Sequence, residues 1–378
     1  MKNSPPKSVD KVLVFLISLL AVVGFLIFSS ASLGLMARSG PDFKSVAFGQ
    51  FFFGLIGGAI AMTITSHIHY RHWRKYAFYI FIFAIVLTLA VFIPGLGMSH
   101  GGATRWLDLR VVTIQPSEVL KIGFIIYIAT LLSGVFKKMD NWKMSVLPFA
   151  LVVGGTGIVM LSLPDTDTFL IMVLAALAMF ITAGARWRHT LALGALATVL
   201  LLGLVFMRPY LMDRFMVLLN PGTDLQGDGY QIHQSLIAVG SGGVLGRGYG
   251  QSIQKFEYLP EPTSDSIFAV FAEEFGFIGT SLLILIFVVM TLRCLKIASN
   301  TSDMFGALLV IGISSAVIFQ AFLNIASMIG LFPLSGLPLP LISHGGTALM
   351  TTLAALGIVL NVSKYQKQTK HYAKISKV

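Results

Sequence analysis

Ten apolar runs, each close to membrane-spanning length, divide this sequence and leave little else. They fall near 12–36, 46–66, 76–96, 112–134, 145–163, 168–184, 189–207, 266–292, 304–330 and 344–363. A run of about 18 to 25 apolar residues crosses the hydrocarbon layer as a helix. A soluble globule cannot absorb ten of them. Of 378 residues, 56% are hydrophobic and 11% are charged, against roughly 25% charged in a soluble domain. The first run, Val12 to Leu35, is too long for the apolar part of a cleaved signal peptide and is read as a retained span. The predicted fold is an all-α polytopic membrane protein with about ten transmembrane helices. No stretch has room for a soluble domain, so residues 1–378 form one transmembrane domain with an outer loop near 208–265 and a basic tail at 364–378.

The net charge of +11 invites a nucleic-acid reading, and its distribution removes it. Basic clusters occur at Lys2, Lys7 and Lys11, at Arg71, Arg74 and Lys75, at Lys137, Lys138 and Lys143, at Arg186 and Arg188, at Arg293 and Lys296, and along the tail from Lys364 to Lys377. With an even number of spans, every one of these clusters falls on the same side. The excess of Lys and Arg marks that side as cytoplasmic, so both termini are expected to face the cytoplasm. Asp10, Asp140 and Asp303 accompany them; the other acids lie on the outer connections or in the outer ends of helices, Asp42 as ordinary loop solubility. The single cysteine, Cys294, excludes an intramolecular disulfide and a cysteine-based zinc site.

Glu118, Glu273 and Glu274 interrupt apolar runs. A charge there is costly unless paired or hydrated, so each is a functional candidate. In 115-QPSEVLK-121, Glu118 and Lys121 are i,i+3 neighbours, either a structural ion pair or a pair lining a hydrated cavity. The segment 164-PDTDT-168 offers two carboxylates as helix caps or as a cation site. The glycines from Gly240 to Gly250 lack the preceding strand of a dinucleotide site and predict a tight re-entrant or interfacial turn. In 259-LPEPTSDSIFAVFAEEFG-276, Ser264 or Asp265 is placed to cap the eighth span, with Asp265 and Glu273 two turns apart on one face. Asp265 is alternatively placed to take a proton from a sugar hydroxyl. The stretch 333-PLSGLPLPLISHGG-346 predicts a broken helix, tolerated at membrane depth only against protein or a water-filled cavity. His344 within it is read as a packing residue.

Together with 102-GATRWLDL-109, 229-GYQIHQSLIAVGSGGVLGRGYGQS-252, 255-KFEYLPE-261 and 324-NIASMIGLFPLSGLPLPLISHGG-346, these segments resemble the SEDS family (shape, elongation, division and sporulation) of bacterial cell-wall polymerases. The division type (FtsW) is matched better than the elongation type (RodA). The resemblance implies a peptidoglycan glycosyltransferase that polymerises lipid II, the undecaprenyl-pyrophosphate disaccharide-pentapeptide, at the outer face of the membrane. It places the essential acid at Asp265 and assigns Arg105, Glu118, Lys121, Gln231, Lys255, Glu261 and Ser343 to substrate binding. Either a divalent cation or Arg105 and Lys121 are expected to meet the leaving phosphate, with a loop-to-headgroup anchor as the other reading of Arg105. It leaves room for a divalent cation (Mg or Mn) with Asp265 as its candidate ligand, and for no organic cofactor. Expected partners are a class B penicillin-binding protein and other divisome or elongasome proteins. The sequence departs from the family pattern at Thr263, Ser264, Ser266, Asp167 and His344; Asp167, an added carboxylate, is expected to alter ion binding. A lipid II flippase is the alternative, since interior acids and broken helices also serve transporters.

Overall fold

The computed structural model describes residues 8–37, 43–100, 103–108, 113–220 and 227–366. Lys2, Lys7, Asp42, the first part of the 221–230 turn and the tail lysines beyond Gln366 lie outside the described residues. The chain runs α1 (Lys11–Ser32), α2 (Phe43–Phe48) continuing through a π-helical stretch (Gly49–Ile56) into α3 (Gly57–His67), α4 (Tyr70–Leu89), β1 (Gly97–His100), β2 (Ala103–Asp108), β3 (Thr113–Ile114), α5 (Pro116–Val135), α6 (Trp142–Ser162), α7 (Thr166–Thr182), α8 (Trp187–Met207), α9 (Pro209–Leu219), α10 (Asp228–Ser241), α11 (Ile267–Asn300), α12 (Met304–Met328) and α13 (Gly346–Ser363). Among the described residues nine helices are long and apolar enough to cross a membrane, and α7, with 17 residues, is a shorter tenth.

α7 is nonetheless a full crossing. Arg186, just past its end, pairs with Asp140 at the start of α6 at 2.6 Å. The chain therefore returns to the face it left, and the predicted even count holds. Further seams close the same face: Arg293 pairs with Asp10 at 2.7 Å, and Asn361 accepts from the Tyr70 amide at 2.8 Å. Inside the bundle α13 packs on α3, α4 on α5, and α12 on both α7 and α11. α12, α13 and α5 are the most enclosed helices, and α8 is the least.

Two features were not expected. A three-stranded antiparallel sheet, order β1-β2-β3, precedes α5, so the fourth apolar run becomes helical only at Pro116, where the missing N–H costs nothing. The outer segment 208–265 holds two short helices, α9 and α10, each too short to have shown as an apolar run.

α11 changes environment part-way. At Gly276 the backbone leaves helical geometry (φ 63°, ψ −163°). Ahead of the break Ile267 and Ala269 are fully buried, whereas beyond it Phe277 is 70% exposed. The break strands two carbonyls and two amides, and the Gly240–Gly250 turn takes up all four. Arg247 and Gly248 amides donate to the Glu273 and Glu274 carbonyls at 3.0 and 2.9 Å; Phe277 and Ile278 amides donate to Gly243 and Val244 at 2.9 and 3.1 Å. Gly246 (φ +81°) faces this contact, where a Cβ would lie 2.1 Å from the Glu274 carbonyl oxygen. The predicted tight turn is thus the partner of the broken helix.

Candidate active site

Asp265 lies in the turn that leads into α11. The Glu261 carbonyl accepts from Ser264 and Ser266 amides at 3.1 and 3.2 Å, closing the turn. The predicted cap is corrected here. α11 starts at Ile267 after Ser266, which makes no side-chain cap, and neither Ser264 nor Asp265 occupies that position. The Asp265 carboxylate therefore does not cap α11, although the Asp265 and Ser266 amides lie against it. Gln231, on α10, hydrogen-bonds to it and also donates to the Ser266 hydroxyl at 2.9 Å. The Oδ1 atom is buried with no hydrogen-bond partner. Burial, reinforced by the charge of Glu261 and opposed by Gln231, lifts the Asp265 pKa to about 7. A carboxylate so tuned holds its base form near neutrality and binds a proton strongly once it takes one.

The broken segment between α12 and α13, together with Asn324 of α12, grips the three residues ahead of α11's backbone ladder. The His344 amide donates to Thr263 O at 2.7 Å, the Ser343 hydroxyl to Ser264 O at 2.6 Å, and Asn324 Nδ2 to Asp265 O at 2.7 Å. Gln50, on the π-helical stretch, holds the other side of this segment, donating to Ser343 O and accepting from the Gly345 amide, both at 3.1 Å. His344 stacks on Phe28 with centroids 5.7 Å apart, the expected packing role.

Glu118 and Lys121 pair at 2.9 Å and are both buried, lining a cavity of about 20 Å³, room for roughly one water. Lys121 also donates to Gln320 Oε1 at 2.8 Å, and Gln320 donates to Pro338 O at 2.9 Å. The pair thus supports the broken segment, and the geometry gives Lys121 no place against a leaving phosphate. Arg105, delivered by β2, donates to the Pro164 carbonyl, and its Nε is buried without a partner. Asp165 caps α7 by accepting from Thr168 N at 3.4 Å. Asp167 pairs with Arg214 at 3.3 Å, and Arg214 reaches Asp228 at 3.2 Å, so the added carboxylate is matched by a cation that ties α7 to α9 and α10.

Glu273 and Glu274 do not join Asp265. Glu273 accepts from the Ser252 hydroxyl at 2.6 Å and the Ile253 and Gln254 amides at 3.1 and 3.2 Å. Glu274 accepts from Ser30 at 2.5 Å and from Lys255 at 2.8 Å. Lys255 is fully buried and gives its remaining protons to Ser30 and Gly250 O, at 3.0 and 2.8 Å. Placing Lys255 on the substrate is therefore corrected. Its ammonium is saturated, and together with the two glutamates it braces the 247–255 loop. Ser343 is likewise spent on backbone, as its hydroxyl also accepts from Leu339 N at 2.7 Å. Glu261 stays exposed beside Asp265. No three His, Cys, Asp or Glu side chains converge among the described residues, so the residues present do not build a cation cage around Asp265. Gln50, Gln320, Asn324 and Arg214 were missed by a search confined to charges in apolar runs. The same desolvation argument applied to lone amides would have flagged the first three.

Fold and site together define a polytopic membrane protein that keeps one tuned, partly unpartnered carboxylate at the outer end of a broken helix. The chain belongs to the FtsW/RodA/SpoVE family of cell cycle proteins, whose pattern matches residues 10–368. It is similar to stage V sporulation protein E of Bacillus subtilis, 38% identical over 366 residues, covering 97% of this chain and 99% of that protein. It is also similar to the probable peptidoglycan glycosyltransferase FtsW of Geobacter sulfurreducens, 39% identical over 311 residues, covering 82% and 83%. Among solved structures it superposes with TM-score 0.75 and 26% identity on a chain from work on polymerization and crosslinking by a peptidoglycan synthase complex, covering 95% and 99%. The fold of the rod shape determining protein RodA of Thermus thermophilus is shared at TM-score 0.68 and 24% identity, covering 95% and 98%.

Proposed function

We propose that this chain is an inverting peptidoglycan glycosyltransferase of the cytoplasmic membrane, polymerising lipid II in cell division or elongation. The observation that carries the reading is Asp265, whose buried Oδ1 lacks a partner and whose pKa stands near 7. Asp265 takes the proton of the acceptor GlcNAc 4-hydroxyl as that oxygen attacks C1 of the donor MurNAc. The C1–O bond to undecaprenyl pyrophosphate breaks from the opposite face, the configuration inverts, and Asp265 returns its proton to water. Arg105, whose buried Nε lacks a partner, is assigned to meet the departing negative charge, a form of electrostatic catalysis that is strong where the charge is preorganised. No step is routed through a divalent cation.

The lipid tail accounts for an enzyme embedded in the bilayer. A class B penicillin-binding protein would cross-link the strands, in keeping with the likeness to a peptidoglycan synthase chain. The transporter alternative needs interior acids along a path, and Glu118, Glu273 and Glu274 are each bound to protein donors. Purified protein in detergent is expected to form glycan strands from lipid II, and Asp265→Asn none. Strand synthesis by Asp265→Asn, or movement of lipid II across vesicles by a wild type that makes no strands, would overturn the proposal.

A further inference from the structure

We infer that Asn324 and Ser343 are positioning residues for Asp265, holding the backbone of residues 263–265 so that the carboxylate meets the acceptor hydroxyl, without touching substrate themselves. This rests on Asp265 being the base.

The need for a clamp follows from where the helix begins. The first backbone acceptor of α11 is Ser266 O, bonded by the Ala269 amide at 3.0 Å. Asp265 therefore stands one residue outside the helical ladder, where the helix does not fix its backbone. Three consecutive carbonyls, those of Thr263, Ser264 and Asp265, are instead held by His344 N, Ser343 Oγ and Asn324 Nδ2. With those carbonyls pinned, the direction of the Asp265 Cα–Cβ bond is set, and Gln231 needs only to choose the rotamer.

Asn324 is fully buried and spends its amide nitrogen on Asp265 O and Leu337 O at 2.7 and 2.8 Å. Its orientation is forced, because turning the amide would set its oxygen against both carbonyls. The clamp is in turn fixed to rigid elements, as a site of this kind requires. Leu337 adjoins Pro338, which is held by Gln320 of α12 and through it by Lys121 of α5. A route thus runs from the buried ion pair through the Gln320 side chain to the 337–338 backbone, and from there through Asn324 to the backbone of Asp265.

The test is steady-state polymerisation of lipid II by the purified full-length protein, with thermal unfolding in detergent alongside. A carboxylate displaced by about 1 Å loses on the order of 100-fold in rate. Asn324→Ala and Ser343→Ala are therefore expected to lower kcat by about 10- to 100-fold, with KM for lipid II changed less than about threefold. Ser343→Thr keeps the hydroxyl and is expected to restore most of kcat. Wild-type kcat in both alanine variants, a loss carried by KM, or a threonine variant no better than alanine would each overturn the inference. If Asn324→Ala does not fold, the Ser343 pair decides alone. An active Asp265→Asn would remove the base assignment itself. An inactive Asp265→Asn beside fully active Asn324→Ala and Ser343→Ala would remove only the clamp.

Discussion

Asp265→Asn should make the protein more stable as it makes it inactive. The ordinary carboxyl pKa of 3.8 rises to about 7 in the fold, chiefly through burial. A group whose folded pKa is raised binds its proton more tightly when folded. Its stabilising contribution is complete below about pH 4 and is lost as pH climbs to about 7, beyond which the difference is constant. At about 1.4 kcal/mol for each pH unit, the whole window corresponds to a ceiling of about 4 kcal/mol. Water reaches part of the side chain, so the measured gain at pH 8 should be about 1–3 kcal/mol. Asparagine has no proton to lose and keeps an acceptor for Gln231. Unfolding of wild type and variant in the same detergent, from pH 5 to pH 8, provides the measurement. The stability gap is expected to open in favour of Asp265→Asn between pH 5 and 7, and wild-type rate to rise over that same interval. A gap that is flat with pH, or that favours wild type at pH 8, would show that the carboxylate is not held against its own ionisation.

Two further outcomes concern the buried ion pairs. Lys255→Met strands the Glu274 carboxylate and should cost about 3–5 kcal/mol, most of it recovered by adding Glu274→Gln, with lipid II affinity of the folded protein unchanged; a stable Lys255→Met with weakened affinity would return Lys255 to the substrate. Reversing Glu118 and Lys121 singly should destabilise, and reversing both should recover about 1–3 kcal/mol of coupling in thermal unfolding; coupling indistinguishable from zero would mean that the two charges act separately.

The span pattern was legible because lipid leaves a chain few options, and the apolar runs carry that constraint in full. Asp265 was legible as a candidate, but a capping role and the proposed catalytic role differ by where the helix starts, and a shift of one residue removes the cap. Glu273 and Glu274 misled for a related reason. A charge in an apolar run is costly whether it serves chemistry or braces a loop, and only its partners tell the two apart. Those partners, Ser30, Lys255 and the 252–254 amides, come from segments far apart in sequence. The clamp was hidden too, since backbone carbonyls leave no trace in side-chain patterns.

The break at Gly276 also settles how α11 fits its bilayer. Thirty-four residues of unbroken helix would reach about 51 Å, far beyond the roughly 30 Å of hydrocarbon. Such a helix would have to tilt steeply or thicken the membrane around it. Residues 277–300 alone reach about 36 Å, a length that modest tilt accommodates. The nine residues ahead of the break are solvated by protein, so changes in bilayer thickness are met by the lipid-facing part while the part nearest Asp265 stays seated. Hydrophobic mismatch is thereby taken up beyond a fixed break eleven residues after Asp265, and that residue is shielded from changes in the surrounding membrane.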